Sequence, residues 1–226
     1  MNTLWVFGDS FVSPINKNYD IDYFPDWVWT KQLAYKLNLN LKICALPGIS
    51  NQWISQEVTK HYDQIQPGDK VVVVTTHHNR TWLIKDHPEF SNIFSNNVSN
   101  YDRYLSKHQI STINKYVKHF AEQHDFISDI HYEWFLSWIR TKLSPKVILC
   151  LLPGFGVTSS HDITGKICLG VVEKNEFVEL QNKPKFDKRI NHLSEYNHKI
   201  LADKVYDFFK TDKKIDLGTG FESKTI

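Results

Sequence analysis

The stretch "LWVFGDSFV", residues 4–12, combines a short apolar run with an abrupt polar end. Leu4–Phe7 predict a buried strand, and Gly8-Asp9-Ser10 stop it. In an open parallel sheet, ligands bind beyond the carboxyl ends of the strands, so Ser10 is expected at the ligand-binding edge. Gly8 allows a sharp turn, where a serine can present a hydroxyl nucleophile and an N–H donor together. Alternatively, Asp9 or Ser10 only caps a helical turn.

The segments that follow alternate between helix and strand patterns. Apolar residues at helical spacing predict a helix over Asp26–Leu37, and Leu39–Cys44 predict a second strand. Ser50 can cap a second helix after the turn at Pro47-Gly48. The consecutive valines within Lys70–Thr76 predict a third strand that is buried on both faces. This order predicts a parallel sheet with helices on both sides.

The second half of the chain extends this pattern and adds insertions. The predicted elements are two helices with apolar stripes (Ile113, Tyr116, Val117 and Phe120; Ile130, Trp134, Phe135, Trp138 and Ile139), a fourth strand over Pro145–Leu152 and a last helix over Ser194–Phe209. Residues 1–210 are therefore predicted to form one domain, with insertions near 82–142 and 164–180, the second of them a hairpin. Residues 211–226 are predicted to form a polar, frayed tail.

Composition and charge narrow the functional classes. The formal net charge of the 226 residues is +2, which gives no argument for binding nucleic acid or an anionic membrane. With no apolar run near the roughly 18 residues of a membrane span and no secretory signal, a cytoplasmic protein is expected. The three cysteines form no Cys-x-x-Cys pair, and Cys44 and Cys150 are expected to be buried free thiols. Adjacent His77 and His78 in a strand would face opposite ways, so no metal site is expected.

A serine nucleophile needs a base, and His192 is the candidate. It lies in "INHLSEYNHKILADKV", immediately before the last predicted helix. A histidine in that loop can fold back over the carboxyl edge of the sheet. The chain has 11 histidines, so the alternative is an ordinary polar residue. His198, one turn into the helix, is expected to be solvated or to act as a cap.

Four segments together resemble the sequence blocks of the GDSL, or SGNH, hydrolases. They are "VFGDSFV", "PGISNQWI", "PGDKVVVVTT" and "NHLSEYNHKILADKV", in the order that the family shows. The resemblance implies a three-layer α/β/α sandwich of flavodoxin-like type, with a mostly parallel sheet of about five strands. It also implies hydrolysis of esters or thioesters, with Ser10 as nucleophile and His192 as general base. The backbone N–H groups of Ser10 and Gly48 would hold the oxyanion.

The third block departs from the family pattern Gly-x-Asn-Asp, whose Asn supplies another oxyanion donor. Here the segment reads "VVVVTTHHNRTW". Thr76, His77 and Asn79 are candidate replacement donors, whereas Arg80 is a candidate to contact the substrate or to brace the loop. Asn51, in the second block, is a further candidate for substrate binding. The alternative is that His77–Arg80 form a solvated loop.

The block around His192 departs as well. The family usually has an Asp three residues before its catalytic His, and this chain has Arg189 there. That Asp holds the imidazole tautomer and stabilises the imidazolium, which an arginine cannot do. Asp187 is the candidate replacement acid. A backbone carbonyl could instead complete a Ser–His dyad, and Asn191 is a candidate to order the loop.

Three functional hypotheses remain. The first is a divergent serine esterase that needs no cofactor and acts on a small-molecule or carbohydrate ester. Trp53, Trp82 and Tyr132, near the expected cleft, favour a sugar substrate, although packing is the alternative for each. The second is an inactive SGNH-type module that binds carbohydrate or a protein. The third is an unrelated α/β protein that binds a nucleotide or phosphate, but no GxGxxG or GxxxxGK[ST] motif is present.

Overall fold

Four parallel strands form the sheet in the part of the chain that the structure describes. The structure is a computed structural model, and it describes residues 1–12, 26–88, 105–120, 123–153, 193, 195–217 and 220–221. The strands are β1 (Thr3–Gly8), β2 (Asn40–Ala45), β3 (Lys70–Val74) and β4 (Ile148–Leu152), in the spatial order β2-β1-β3-β4. All neighbouring pairs are parallel, so their carboxyl ends meet at one edge.

Five helices accompany these strands in the described residues. They are α1 (Trp29–Leu37), α2 (Asn51–His61), α3 (Lys107–Phe120), α4 (His124–Leu143) and α5 (Glu195–Thr211), with a short 3-10 helix at Tyr62–Gln64 after α2. The Ser50 hydroxyl accepts a hydrogen bond from Trp53 N at 3.4 Å, so the predicted cap of α2 is confirmed.

Side chains that alternate along the strands pack into two apolar cores, one on each face of the sheet. In β3, Val71 and Val73 pack with α2 and α4 on one face, whereas Val72 and Val74 pack with α1 and α5 on the other. All four valines are at most 4% exposed, as expected for a strand covered on both sides. The fold is therefore the predicted three-layer α/β/α sandwich around a parallel sheet.

The strand order reverses between β1 and β3. From β1 the chain passes to β2 on one side and then crosses to β3 on the other. In doubly wound sheets, this reversal leaves a crevice beyond the carboxyl ends of the two central strands, where ligands bind. Asp9 and Ser10 directly follow β1, and Thr75–Arg80 follow β3. The topology alone thus directs attention to these two segments.

Some predicted features need correction. Phe120 and Trp134 were predicted in the apolar stripes of α3 and α4, but they are 44% and 68% exposed. In α3 the buried residue is Ile113. The buried residues of the α4 stripe are Tyr132, Phe135, Leu136, Ile139 and Leu143. The expected fraying after Lys210 is wrong for residues 212–217, where Ile215 and Leu217 are buried in the α1–α5 core. The predicted hairpin over 164–180 and most of Trp82–Asn100 beyond Pro88 lie outside the described residues.

Two of the three cysteines lie in the described residues. Cys44 and Cys150 are buried and form no disulfide, as predicted, while Cys168 lies outside the described residues. In the described ranges, every helix is too short or too polar to cross a membrane.

Candidate functional site

The turn after β1 is closed by Asp9 and leaves Ser10 at its apex. Asp9 Oδ1 accepts a hydrogen bond from Phe11 N at 3.1 Å, and the Asp9 carbonyl accepts one from Val12 N at 3.0 Å. Asp9 therefore acts as the turn cap, and Ser10 does not. Neither the hydroxyl nor the N–H of Ser10 is hydrogen-bonded to another residue of the described chain, although the residue is only 8% exposed. As far as the described residues are concerned, both groups are available to a ligand.

Gly8 is required for a reason other than the predicted one. Its φ is not positive, so the turn does not use the special conformational freedom of glycine. A Cβ atom there would instead lie 2.5 Å from Cγ2 of Val12 and 3.0 Å from both Cβ and the carbonyl oxygen of Val74. The absence of a side chain lets the Ser10 turn fold back against β3.

Gly48 lies beyond the neighbouring strand, in a backbone conformation that favours glycine. Its φ is +79°, in the left-handed region. Gly8 pairs with Ala45 at the end of the β1–β2 ladder, so Ser10 and Gly48 leave the same edge of the sheet from adjacent strands. The N–H of Gly48 makes no hydrogen bond to the residues that the structure describes.

Asn51 fixes the end of β3 rather than facing a substrate. Its side-chain amide donates to the carbonyl of Thr76 and accepts from the N–H of Thr76, both at 2.9 Å. Asn51 is buried and begins α2, so this pair ties the start of that helix to the β3 end. The N–H of Thr76 is consequently occupied and is not an available oxyanion donor.

Arg80 braces three segments at once, which is one of the two roles considered for it from the sequence. Its Nη1 lies 2.9 Å from Asp9 Oδ2, 3.3 Å from the carbonyl oxygen of Ile49 and 2.5 Å from Thr76 Oγ1. The side chain of Asp9 is only 3% exposed, so its charge needs this partner. One guanidinium nitrogen thus connects the Ser10 turn, the Gly48 loop and the β3 end.

Asn79 and its neighbours form an ordered turn. The N–H of Asn79 donates to Nδ1 of His77 at 3.2 Å, and its carbonyl oxygen lies 2.9 Å from Nε2 of His124 at the start of α4. The amide oxygen of Asn79 is buried and has no hydrogen-bond partner in the described part of the chain. Residues 77–80 are half-buried, so the solvated-loop alternative is wrong.

The expectation for the two adjacent histidines also rested on a wrong element. His77 and His78 lie in the turn after β3 and not in a strand. Their rings stack, with centroids 4.5 Å apart, instead of pointing to opposite faces. His77 contributes to the turn through Asn79, and Nε2 of His78 lies 3.6 Å from Oδ1 of Asp129.

The predicted base lies outside the described residues. His192, Asp187, Arg189 and Asn191 all do, so their roles stay predictions. Leu193, directly after His192, is 3% exposed and belongs to the same apolar cluster as Val12, two residues after Ser10. Leu193 therefore packs in the core on the α1–α5 face of the sheet, which also contains Val12.

His198 caps a helix, which is one of the two roles expected for it, but the helix is α1 and not its own. It is 4% exposed, and its Nδ1 accepts a hydrogen bond from Trp29 N at 3.3 Å. His198 therefore caps the first turn of α1, so of the two expected roles capping is right and solvation is wrong. The indole N–H of the same Trp29 donates to the carbonyl of Phe11 at 2.8 Å. Because the partners are 169 residues apart, no local motif could have signalled this contact.

The aromatic residues expected at the cleft are core residues. Trp53 and Tyr132 are 9% and 6% exposed, and Trp82 packs against the same α2–α4 core. The Tyr132 hydroxyl lies 3.0 Å from Thr75 Oγ1, and burial raises the pKa of Tyr132 to about 12. Packing therefore accounts for all three side chains, and the stacking argument for a sugar loses its support.

Comparison with known proteins gives distant likenesses only. No protein-family model matches the chain, and no curated protein matches it. One similar solved structure is a protein of the G-D-S-L family of lipolytic proteins from Desulfitobacterium hafniense DCB-2, at 14% identity and a TM-score of 0.37, covering 92% of this chain and 99% of that one.

Two other similar structures are carbohydrate esterases. One is a carbohydrate esterase family 2 enzyme with a carbohydrate-binding domain from Corynascus thermopiles (Myceliophthora fergusii), at 12% identity, a TM-score of 0.35, and coverage of 71% of this chain and 47% of that one. The other is a carbohydrate esterase whose active site displays divergent catalytic and non-catalytic binding functions, at 13% identity, a TM-score of 0.37, and coverage of 94% and 65%. The chain thus spans less than half of the first and about two thirds of the second. At this level of similarity, the comparisons assign no role to any residue.

Proposed function

We propose that this protein is a serine esterase that cleaves a carboxylic ester through an acyl-enzyme on Ser10. The observation that carries the proposal is the absence of hydrogen bonds from Ser10 to any described residue. Its hydroxyl and N–H point to no partner in the described residues, at the edge of the sheet where the strand order reverses. A nucleophile and an oxyanion donor on one residue are the minimum that acyl transfer requires.

Gly48 supplies the second oxyanion donor in this proposal. Its N–H has no hydrogen bond within the described chain, and its positive φ sets the direction of that group. Arg80 supports the geometry, because its Nη1 contacts both Asp9, before Ser10, and Ile49, after Gly48. The two proposed donors therefore belong to segments that one side chain holds together.

His192 is the proposed general base. Support comes from its neighbour Leu193, which shares an apolar cluster with Val12 close to the Ser10 turn. His192 takes the proton from Ser10 Oγ as this oxygen bonds to the ester carbonyl carbon, and it returns that proton to the departing alcohol. Water then attacks the acyl-enzyme in the same way, and Ser10 recovers its proton when the acid is released. Asp187 or a backbone carbonyl orients the imidazole.

Asn79 is the proposed third oxyanion donor. The N–H of Thr76 is occupied by Asn51, and Nη1 of Arg80 already contacts three oxygens. The side-chain amide nitrogen of Asn79 makes no hydrogen bond to any described residue, and the turn that carries it is held by His77 and His124. An amide at this position can replace the Asn of the family's third block.

Labelling with a fluorophosphonate probe tests the proposal directly. We expect the purified protein to be modified at Ser10, as mapped by mass spectrometry of its peptides. Ser10→Ala and His192→Ala should lose the label, whereas Ser111→Ala, on the exposed face of α3, should retain it. Hydrolysis of short acyl esters, with O-acetylated sugars in the panel, should follow the same pattern.

The same experiment can contradict the proposal. If the folded wild-type protein is not labelled, the esterase is rejected and a binding module on this fold becomes the better hypothesis. If Ser10 is labelled equally well in His192→Ala, the nucleophile stands but the base is a different residue. Circular dichroism of each variant verifies that the fold is kept.

A further inference from the structure

We infer that Cys44, Glu57 and His61 form a binding site for a thiophilic divalent cation such as Zn²⁺, independent of the proposed esterase site. One ligand atom from each of the three side chains lies within 4.8 Å of the others. Cys44 is on β2, at the edge of the sheet, and the other two are on α2, which packs over that edge. The group thus joins a strand to a helix through its side chains.

The distances suit coordination after a small movement. Glu57 and His61 are four residues apart, so they lie on one face of α2, and Oε2 of Glu57 is 3.5 Å from Nε2 of His61. Ligands around a tetrahedral zinc ion, with bonds of about 2.0–2.3 Å, are roughly 3.3–3.8 Å apart. The carboxylate–imidazole distance already falls in this range. The other ligand atoms lie within 4.8 Å of one another. Rotation of the flexible Glu57 side chain would shorten the distances to its carboxylate.

The surroundings resemble those of a built site more than of a solvated surface. The side chains of Glu57 and His61 are only 13% and 14% exposed, and Cys44 is 8% exposed. Nδ1 of His61 is buried and has no hydrogen-bond partner in the described residues. The His61 ring packs against Trp5, with centroids 5.5 Å apart, which limits its orientation. Nε2 is the nitrogen that faces Glu57, so it is the expected ligand atom and Nδ1 is not. The low exposure of the three side chains is what distinguishes this group from a solvated surface cluster.

The donor set selects the class of ion. A thiolate, an imidazole and a carboxylate favour Zn²⁺ or Co²⁺ over Mg²⁺ and Ca²⁺, which prefer oxygen ligands alone. Three protein ligands leave the fourth tetrahedral position to water. A thiol binds the ion as a thiolate, so the ion displaces the proton of Cys44 as it binds.

Lys60 competes with the ion for Glu57. Its Nζ is 3.3 Å from Oε1 and 3.4 Å from Oε2 of that carboxylate, and its side chain is 61% exposed. An exposed lysine can leave without loss of packing, but the ion pair lowers the affinity of the carboxylate for a second cation. Removal of this lysine should therefore strengthen metal binding, a gain that unfolding cannot imitate.

Cobalt titration of the metal-stripped, tag-free chain tests this site. We expect one equivalent of Co²⁺ to give a thiolate-to-cobalt charge-transfer band together with the visible bands of a tetrahedral ion, and Zn²⁺ to remove both. Cys44→Ser should abolish the charge-transfer band. Cys150→Ser and Cys168→Ser are the matched controls and should retain it. Glu57→Gln and His61→Gln should weaken Co²⁺ binding at least tenfold. Lys60→Gln should strengthen it by up to about fivefold.

Two results would overturn the site. One is the absence of the charge-transfer band in a wild-type chain whose circular dichroism is that of the folded protein. The other is a band that survives Cys44→Ser, which would assign the thiolate to a different cysteine. Should Cys44→Ser fail to fold, Glu57→Gln and His61→Gln decide the question, because both retain the thiol: unchanged affinity in the two variants rejects the site.

Discussion

Asp9 and Arg80, which follow β1 and β3 respectively, form an ion pair in which Nη1 of Arg80 lies 2.9 Å from Oδ2 of Asp9. The aspartate side chain is 3% exposed and the arginine side chain 20% exposed. The pair joins the segments after these two strands, between which the strand order reverses. The orientation of the residue next to Ser10 therefore depends on a side chain that follows a different strand.

Removal of Arg80 should destabilise the fold and disturb the site. Arg80→Gln leaves the Asp9 carboxylate buried without its cation, a change that typically costs about 3–5 kcal/mol. Urea unfolding of Arg80→Gln, Asp9→Asn and the double variant forms a cycle that isolates the coupling. We expect the double variant to lose less free energy of unfolding than the two single variants lose in sum. Additive losses would mean that the pair contributes no specific coupling.

Gly8→Ala should damage the site more than its size suggests. The new methyl group would meet Cγ2 of Val12 at 2.5 Å and the Val74 backbone at 3.0 Å. Overpacking of this kind costs about 1–3 kcal/mol, and here the segment that must yield carries Ser10. We expect a lower rate of fluorophosphonate labelling even where the variant remains folded. Unchanged labelling would show that the turn tolerates the shift.

Asn79→Ala tests the third oxyanion donor. If its amide stabilises the transition state, kcat should fall about 10²–10³-fold with little change in KM. Asn79→Asp, similar in shape but anionic, should be at least as impaired. Steady-state kinetics on a short acyl ester measure both effects. An unaltered kcat in Asn79→Ala would exclude Asn79 and leave the remaining Arg80 N–H groups to be tested next.

Tyr132 should make the protein sensitive to alkaline pH. The folded-state pKa is raised to about 12, whereas an unfolded tyrosine has a pKa of about 10. Below pH 10 both states hold the proton; above it only the unfolded state releases it, so stability falls as the pH rises towards 12. At pH 11, the titration of Tyr132 lowers the free energy of unfolding by about 1.4 kcal/mol relative to neutral pH.

A phenylalanine substitution isolates this effect. Tyr132→Phe should lose about 0.5–1.5 kcal/mol at pH 8, because it removes the hydrogen bond to Thr75, but should lose less than the wild type between pH 8 and pH 11. Tyr35→Phe is the matched control, since Tyr35 is 88% exposed. Denaturant unfolding at the two pH values provides the measurement. Parallel losses in the wild type and Tyr132→Phe would assign the alkaline sensitivity elsewhere.

The sheet was predictable because its physical signals are local. A strand segment such as Val71–Val74, covered on both faces, must be apolar throughout, and Ser50 caps α2 with its own side chain. The order of these elements along the chain is enough to require a parallel sheet. By the same reasoning, the edge that carries Ser10 follows from the sequence.

The interactions within the site were not predictable, because they join distant segments. The ion pair of Asp9 and Arg80 spans 71 residues, and the hydrogen bonds of Asn51 reach 25 residues to Thr76. Trp53 and Tyr132 looked like cleft residues because composition does not reveal which aromatic side chains a helix turns inward. Gly8 was interpreted through backbone freedom, whereas the neighbouring Val12 and Val74 account for it.

Two hydrogen bonds of Trp29 form at different stages of synthesis on the ribosome, because their partners lie near opposite ends of the chain. Its indole N–H donates a hydrogen bond to the carbonyl of Phe11, the residue after Ser10. Its backbone N–H donates to His198, which is translated 169 residues later. A nascent chain that has not yet produced α5 lacks the His198 cap of α1 and therefore one of these two hydrogen bonds of Trp29. The first strand emerges early, but the turn that carries Ser10 gains its full support only when the last helix has left the exit tunnel.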